Sequence, residues 1–164
     1  MKIIRGDLIQ LALDGKFDII IHGCNCFCTM GAGIARQIKD TFPEAYKADL
    51  KTKIGDASKL GTINFATTKS IYYTGTKTDI REIIVINAYT QFDYRGERSG
   101  ILLADYEAIR MCFNRIALLF GKQNKRIGYP KIGAGLANGD WNTISKIIDE
   151  ELKDLDHTLI EFNR

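Results

Sequence analysis

The residues with chemical potential cluster in "HGCNCFCTMGAGIA", His22 to Ala35, which sets one histidine, three cysteines and an asparagine beside a glycine-rich turn. A related phrase, "GAGLANGDW", follows at Gly133–Trp141 and carries Asp140. Three chemistries are open to the first stretch: a metal knuckle, a thiol centre, or a ligand cradle. Zinc sites pair cysteines as C-x-x-C with a second pair elsewhere, whereas here the spacing is C-x-C-x-C and only Cys112 remains. Cys112 lies on the apolar stripe of a helical segment, so no metal and no metal ligands are expected. A thiol reading stays open because side chains two apart on a strand share a face, which would place Cys24 beside His22.

The glycine turns offer a different chemistry. Gly31–Ile34 and Gly133–Leu136 read GAGI and GAGL, each after an expected strand and before an expected helix. Glycine lets main-chain N–H groups approach a ligand, and a helix N-terminus behind them favours phosphate oxygens. Two such turns suit a diphosphate. Neither completes G-x-G-x-x-G or the Walker pattern, which argues against a dinucleotide dehydrogenase or a P-loop ATPase. His22 ends an apolar strand run and is expected to titrate near neutrality. Asp140 suits an N-cap, and from the same place it would aim a carboxylate at the second glycine turn.

The elements that must hold these residues alternate along the chain. Strands are expected at 2–4, 18–22, 62–66, 70–73, 83–88, 126–130 and 158–162, and helices at 34–41, 43–51, 101–120 and 141–152. Gly121 is expected to close the third helix as a C-cap. Runs such as "DIIIH" and "IIVIN" are apolar without alternation, as in strands covered on both faces. The fold class expected is α/β: a three-layer α/β/α domain around a central mixed sheet, with one domain over residues 1–164. Ligands of such sheets lie at the carboxyl ends of the strands.

Composition narrows the classes further. The chain has 164 residues, 45% hydrophobic and 26% charged, with a formal net charge of +3, a balance that does not by itself indicate nucleic-acid binding. No apolar run reaches eighteen residues, and "MKIIRGDLIQ" carries charge where a secretory signal needs an apolar core. The expectation is a cytoplasmic protein with reduced thiols and no membrane association.

Four phrases in order, "GDLI", "IIIHGCNC…MGAGIA", "VINAYTQ" and "PKIGAGLANGDW", resemble the macro domain family, which binds ADP-ribose. The resemblance runs from about residue 2 to 162. The nearest likeness is to the branch with ADP-ribose 1''-phosphate phosphatases, deacylases and DNA-directed antitoxins. It implies roles residue by residue. Asp7 would accept a hydrogen bond from the adenine amino group, with Leu8 beside it through its backbone. Asn25 would touch the distal ribose. Gly31, Ala32, Gly33 and Ile34 would form one phosphate loop, and Gly133, Ala134, Gly135 and Leu136 the other. Phe162 would flank adenine, and Gln91, Phe92 and Tyr94 would border the distal ribose. Asp7 equally suits a turn cap and Phe162 a core position.

The activity implied is removal of phosphate from ADP-ribose 1''-phosphate, with His22 and Asp140 as candidates for proton transfer and no cofactor. Deacylating relatives use a lysine after the central strand and an aspartate after the second glycine loop. Here "NAYTQ" has no lysine and Ala137 follows "GAGL". Removal of ADP-ribose from protein or DNA, and non-catalytic reading of ADP-ribose, are the alternatives. The partners expected are therefore ADP-ribose or ADP-ribose 1''-phosphate, and an ADP-ribosylated macromolecule under the alternatives.

Overall fold

A computed structural model describes residues 1–96 and 99–162. Six strands form one mixed sheet: β1 (Lys2–Arg5), β2 (Ile19–Cys24), β3 (Ile63–Thr74), β4 (Lys77–Tyr89), β5 (Ile127–Tyr129) and β6 (His157–Glu161). Their spatial order is β1-β6-β5-β2-β4-β3. All neighbours pair in parallel except the edge hairpin β3–β4, which is antiparallel. The carboxyl ends of β1, β6, β5, β2 and β4 consequently share one edge of the sheet.

Side-chain alternation divides the core into two layers. Ile19 and Ile21 of β2 pack under α4 (Tyr106–Phe120) and α5 (Trp141–Glu151), with Ile109, Phe113, Ile116, Ile144 and Ile148. Ile20 points the other way, into α1 (Leu8–Leu13), α2 (Gly33–Thr41) and α3 (Pro43–Leu50), meeting Leu8, Ile38 and Ala45. Each such isoleucine, fully buried, contributes roughly 1.5–3 kcal/mol. The α/β/α architecture with a mixed sheet is as the sequence pattern implies.

Several elements differ from expectation. The two strands expected at 62–66 and 70–73 are one continuous strand, β3, because pairing with β4 runs unbroken from Ile63 to Thr74. The helix expected from residue 101 begins at Tyr106. Asp105 caps it by accepting from the Ala108 N–H at 2.8 Å, while the Leu103 and Ala104 N–H groups both donate to the Ala137 carbonyl. Gly121 does end α4, but with φ −60°, so its turn needs none of glycine's left-handed freedom. The helix α1 was not expected, although Asp7 caps it, accepting from the Gln10 N–H at 3.0 Å. No helix among the described residues is long and apolar enough to cross a membrane.

Candidate functional site

Where the strand ends of β2, β4 and β5 meet, the loops enclose a cleft of about 360 Å³. One wall is the N-terminus of α2. Its N-cap, Ala32, has no capping side chain, and the first intrahelical bond is Arg36 N–H to the Ala32 carbonyl, at 3.2 Å. The N–H groups of Gly33, Ile34 and Ala35 therefore lack helical acceptors, and the positive end of the helix lies behind them. All three residues line the cleft.

The facing wall is the loop after β5. Gly133, at φ +73°, turns the chain, and a Cβ there would come within 3.3 Å of Ile144, Ala104 and Ile109. Gly139 donates to the Gly133 carbonyl at 2.7 Å and closes the loop. Gly31 and Gly135 differ in kind: a Cβ on either would meet nothing within 4 Å. The two turns do approach each other, since a Cβ on Gly33 would lie 3.6 Å from Leu136. The result is a slot between two turns with space directly above a glycine of each.

Two further loops complete the cleft. After β2, Asn25 is 7% exposed, donates to the Thr29 hydroxyl (2.7 Å) and carbonyl (3.1 Å), and accepts from the Phe27 N–H at 2.9 Å. These bonds use both amide donors and leave one Oδ1 lone pair, so the side chain's remaining capacity is to accept. After β4, Gln91 donates to the Asp93 carbonyl and Tyr94 stands beside it on the wall. Phe92 instead packs edge-on against Phe27, with ring centroids 5.2 Å apart. Lys131 supplies a cation on the wall and is paired with Glu161 at 2.8 Å.

A second hollow, of about 200 Å³, adjoins the first and shares Gly33, Ile34 and Pro130 with it. Leu8, Ile160 and Phe162 make it apolar, and Asp7 places a carboxylate on its wall. One Asp7 oxygen is spent on the helix cap, which leaves the other for a ligand donor. By strand order, the hollow lies at the β1–β6 end of the groove, and Asn25, Gln91 and Tyr94 lie at the β2–β4 end.

The Macro domain family pattern matches residues 21–148, which takes in most of β2, both glycine turns and most of α5. A phage T4 protein, described as an uncharacterized 17.5 kDa protein in the tk-vs intergenic region, is 35% identical over 167 residues, 99% of this chain and 96% of the relative. The chain is a macro domain. Solved structures agree on the fold. The macrodomain of Mycobacterium tuberculosis DarG is 19% identical with a TM-score of 0.68, over 97% of this chain and 95% of that one. Thermosipho africanus DarTG, solved in complex with ADP-ribose, is 15% identical with a TM-score of 0.72, over 99% of this chain and 42% of that one.

The fold of this macro domain brings most of the expected residues together. Asp7, Leu8 and Phe162 meet in the hollow, and Asn25, Gly31, Ala32, Gly33, Ile34, Gln91, Gly133, Gly135 and Leu136 meet in the cleft. Ala134 does not line it; its side chain packs on the α4–α5 core and its N–H donates to the Lys131 carbonyl.

Neither candidate for proton transfer lines either space. His22 is 0% exposed and faces the α2–α3 layer, because alternation on β2 puts it on the same side as Ile20. Its Nε2 lies 2.6 Å from Asn87 Oδ1. The Asn87 amide donates to Ala45 and Asn64, so the imidazole is the donor of that bond. Burial pulls the His22 pKa down to about 4, which corrects the expectation of titration near neutrality. Asp140 is the N-cap of α5, with Oδ2 accepting from the Thr143 N–H (2.9 Å) and hydroxyl (2.6 Å), bonds that lower its pKa.

The cleft of this macro domain is also lined by residues that no sequence motif singled out: Thr29, which anchors Asn25, and Pro130 and Lys131, which precede the second turn. The phrase "YPKIGAG" carries no local signal that its lysine faces a cleft. All four cysteines are free and buried. Cys24 sits 3.5 Å from His22 Nε2, as the strand register requires, but burial raises its thiol pKa well above the usual range.

Proposed function

We propose that this macro domain recognises ADP-ribose along the groove. The adenine enters the apolar hollow with its amino group toward Asp7, the diphosphate lies between the glycine turns, and the distal ribose meets Asn25 and Gln91. The observation that carries this reading is the slot itself. Unpaired helix N–H groups face a second turn across open space over Gly31 and Gly135, and the slot runs directly into an apolar hollow that ends in a carboxylate. N–H donors suit phosphate oxygens, and the carboxylate suits an exocyclic amine.

Release of phosphate from ADP-ribose 1''-phosphate belongs to this reading as a further activity, but not through His22 or Asp140. A buried imidazole with its pKa near 4 and a helix-capping carboxylate outside the groove are not placed to move a proton at the distal ribose. Asn25, Gln91 and Tyr94 place polar groups on that part of the wall, and their work there would be to orient water and sugar.

A second reading, removal of ADP-ribose from protein or DNA, is favoured by the surface beside the distal end. Phe92 and Tyr94 are 37% and 38% exposed, so the groove is not sealed against an attachment larger than phosphate.

Calorimetry with ADP-ribose, ADP and AMP tests recognition. The expected result is a dissociation constant in the micromolar range for ADP-ribose, about −8 kcal/mol, weakening as the ligand is shortened. No heat at millimolar ADP-ribose would sink the proposal. Phosphate release from ADP-ribose 1''-phosphate, compared in wild type, His22→Ala and Asn25→Ala, tests the activity. Loss of turnover in a folded His22 variant, with the Asn25 variant still active, would return the chemistry to His22 and remove Asn25 from it. ADP-ribosylated protein and thymidine-modified DNA, watched for free ADP-ribose, test the second reading.

A further inference from the structure

Beneath the loop that carries Asn25 lies a buried ionic cluster that ligand recognition does not use. Lys59, from the short 3-10 turn Ala57–Lys59, is 7% exposed and reaches under residues 26–28. Its ammonium donates to the Cys26 carbonyl at 3.1 Å and to Cys28 Sγ at 3.2 Å. Asp49, 1% exposed, lies 3.9 Å away, and the Tyr89 ring lies below the ammonium at 4.7 Å. Cys28 itself stands at φ +55°, a rare conformation for a residue with a side chain, with Sγ also 3.2 Å from the Asp49 carbonyl.

This places a primary amine and a thiol against one another, both held from several sides. Among the described residues, no other thiol has a lysine in hydrogen-bond reach. Cys26 and Cys112 turn to backbone carbonyls, and burial pushes their pKa values up to about 11 and about 12.

We propose that Cys28 and Lys59 are an oxidative modification site, at which a peroxide joins Sγ to Nζ through one oxygen atom. The balance needs two peroxides. One lysine ammonium, one thiol and two molecules of hydrogen peroxide give the N–O–S bridge, three waters and one proton. Sulfur and nitrogen each give up two electrons, and the peroxide oxygens accept all four. The first peroxide takes the thiol to a sulfenic acid, the entry to reversible cysteine oxidation. The amine, already in contact with that sulfur, loses a proton and takes one oxygen of the second peroxide as its hydroxylamine, releasing the second water; that oxygen then bonds to sulfur and expels the sulfenic hydroxyl as the third. A single bridging oxygen spans nearly the separation present in the fold, whereas a direct S–N bond would draw the two backbones together. Thiol reductants restore the pair by returning four electrons and releasing water. The bridge would pin the base of the Asn25 loop to the 3-10 turn; its effect on ligand affinity rests on the ADP-ribose reading, but its formation does not.

The test treats the protein with hydrogen peroxide and reads intact mass and digested peptides. The expected product gains about 14 Da, one oxygen less two hydrogens, resists trypsin after Lys59, and returns to its starting mass with dithiothreitol. Cys28→Ala and Lys59→Arg should each abolish the linked peptide; the arginine keeps a cation against Asp49 and Tyr89 while removing the primary amine. Sulfinic or sulfonic acid on Cys28 with an unlinked Lys59 peptide, or an unmodified Cys28, would overturn the proposal. Where ADP-ribose binds, peroxide should shift its affinity at least about threefold in wild type and not in Cys28→Ala. Absence of ADP-ribose binding before oxidation would count against the ligand and leave the mass result decisive for the bridge.

Discussion

Replacing Gly135 by valine separates recognition from folding more cleanly than any charged substitution. Gly135 is exposed, its φ is outside the left-handed region, and a Cβ built on it meets nothing within 4 Å. The substitution should therefore change unfolding free energy by no more than about 0.5 kcal/mol. The same empty space is where the diphosphate is proposed to sit, so the branched side chain would stand between phosphate oxygens and the N–H groups. Hydrogen bonds to a charged group contribute about 1.5–3 kcal/mol each, and losing one predicts an affinity loss of roughly 10- to 150-fold. Gly31→Val carries the same prediction from the opposite wall, since its Cβ is equally unopposed. Calorimetric titration with ADP-ribose beside urea denaturation gives both numbers on one preparation. Unchanged affinity in both valine variants, with folding intact, would refute the placement of the diphosphate. A large loss of stability would refute the claim that these two glycines serve the ligand and not the chain.

Three further outcomes follow from the same geometry. Gly139→Ala should destabilise by about 1–3 kcal/mol in urea denaturation, because its Cβ would lie 2.7 Å from both the Gly133 carbonyl and Ile144. Asp140→Ala should cost about 1 kcal/mol of stability as a lost N-cap and leave ADP-ribose affinity unchanged, while Asp140→Asn should retain both by the same measurements. For His22 the pKa is lower in the folded chain, about 4, than in the unfolded one, about 6.5. The unfolded chain therefore takes up the proton first, and the stability this buried neutral ring confers is intact above pH 6.5 and falls away as pH drops from 6.5 to 4. The loss amounts to roughly 3 kcal/mol, read from denaturation midpoints across that range, and an NMR titration should show the His22 ring unprotonated at pH 5.5.

How far the groove could be read in advance differed from residue to residue. Gly31–Ile34 and Gly133–Leu136 were legible because one glycine phrase occurs twice, each time between a strand and a helix, and both turns face one slot although Ala134 packs away from it. Asn25 was legible by its place in an ordered set of phrases. Its hydrogen bonding was not, because Thr29 reaches its amide only once the loop closes. His22 misled for an instructive reason. A histidine ending a strand beside a polar loop is consistent with either face of the sheet, and the choice depends on the register with β4, which sets it against Asn87. Asp140 had two readings at one position, and the Thr143 contacts satisfy the cap. The helix α1 went unread because six residues give less than two turns of periodicity, though Asp7 marked its start.

By itself the sequence determined what local rules govern: the alternation of strand and helix, the apolar stripes of α4 and α5, the two turns, and the absence of a paired-cysteine metal pattern. These depend on the spacing of side chains along the chain, which is written in the order of residues. Tertiary structure decided which strand ends became neighbours, and therefore that Asp7 and Phe162, 155 positions apart in the chain, line one hollow. It also decided that Lys131 joins the cleft wall, that His22 is sealed between layers, and that Lys59 lies against Cys28. Such choices follow from parallel pairing and burial between distant segments, where each contact depends on closing a long loop and is encoded by no single stretch.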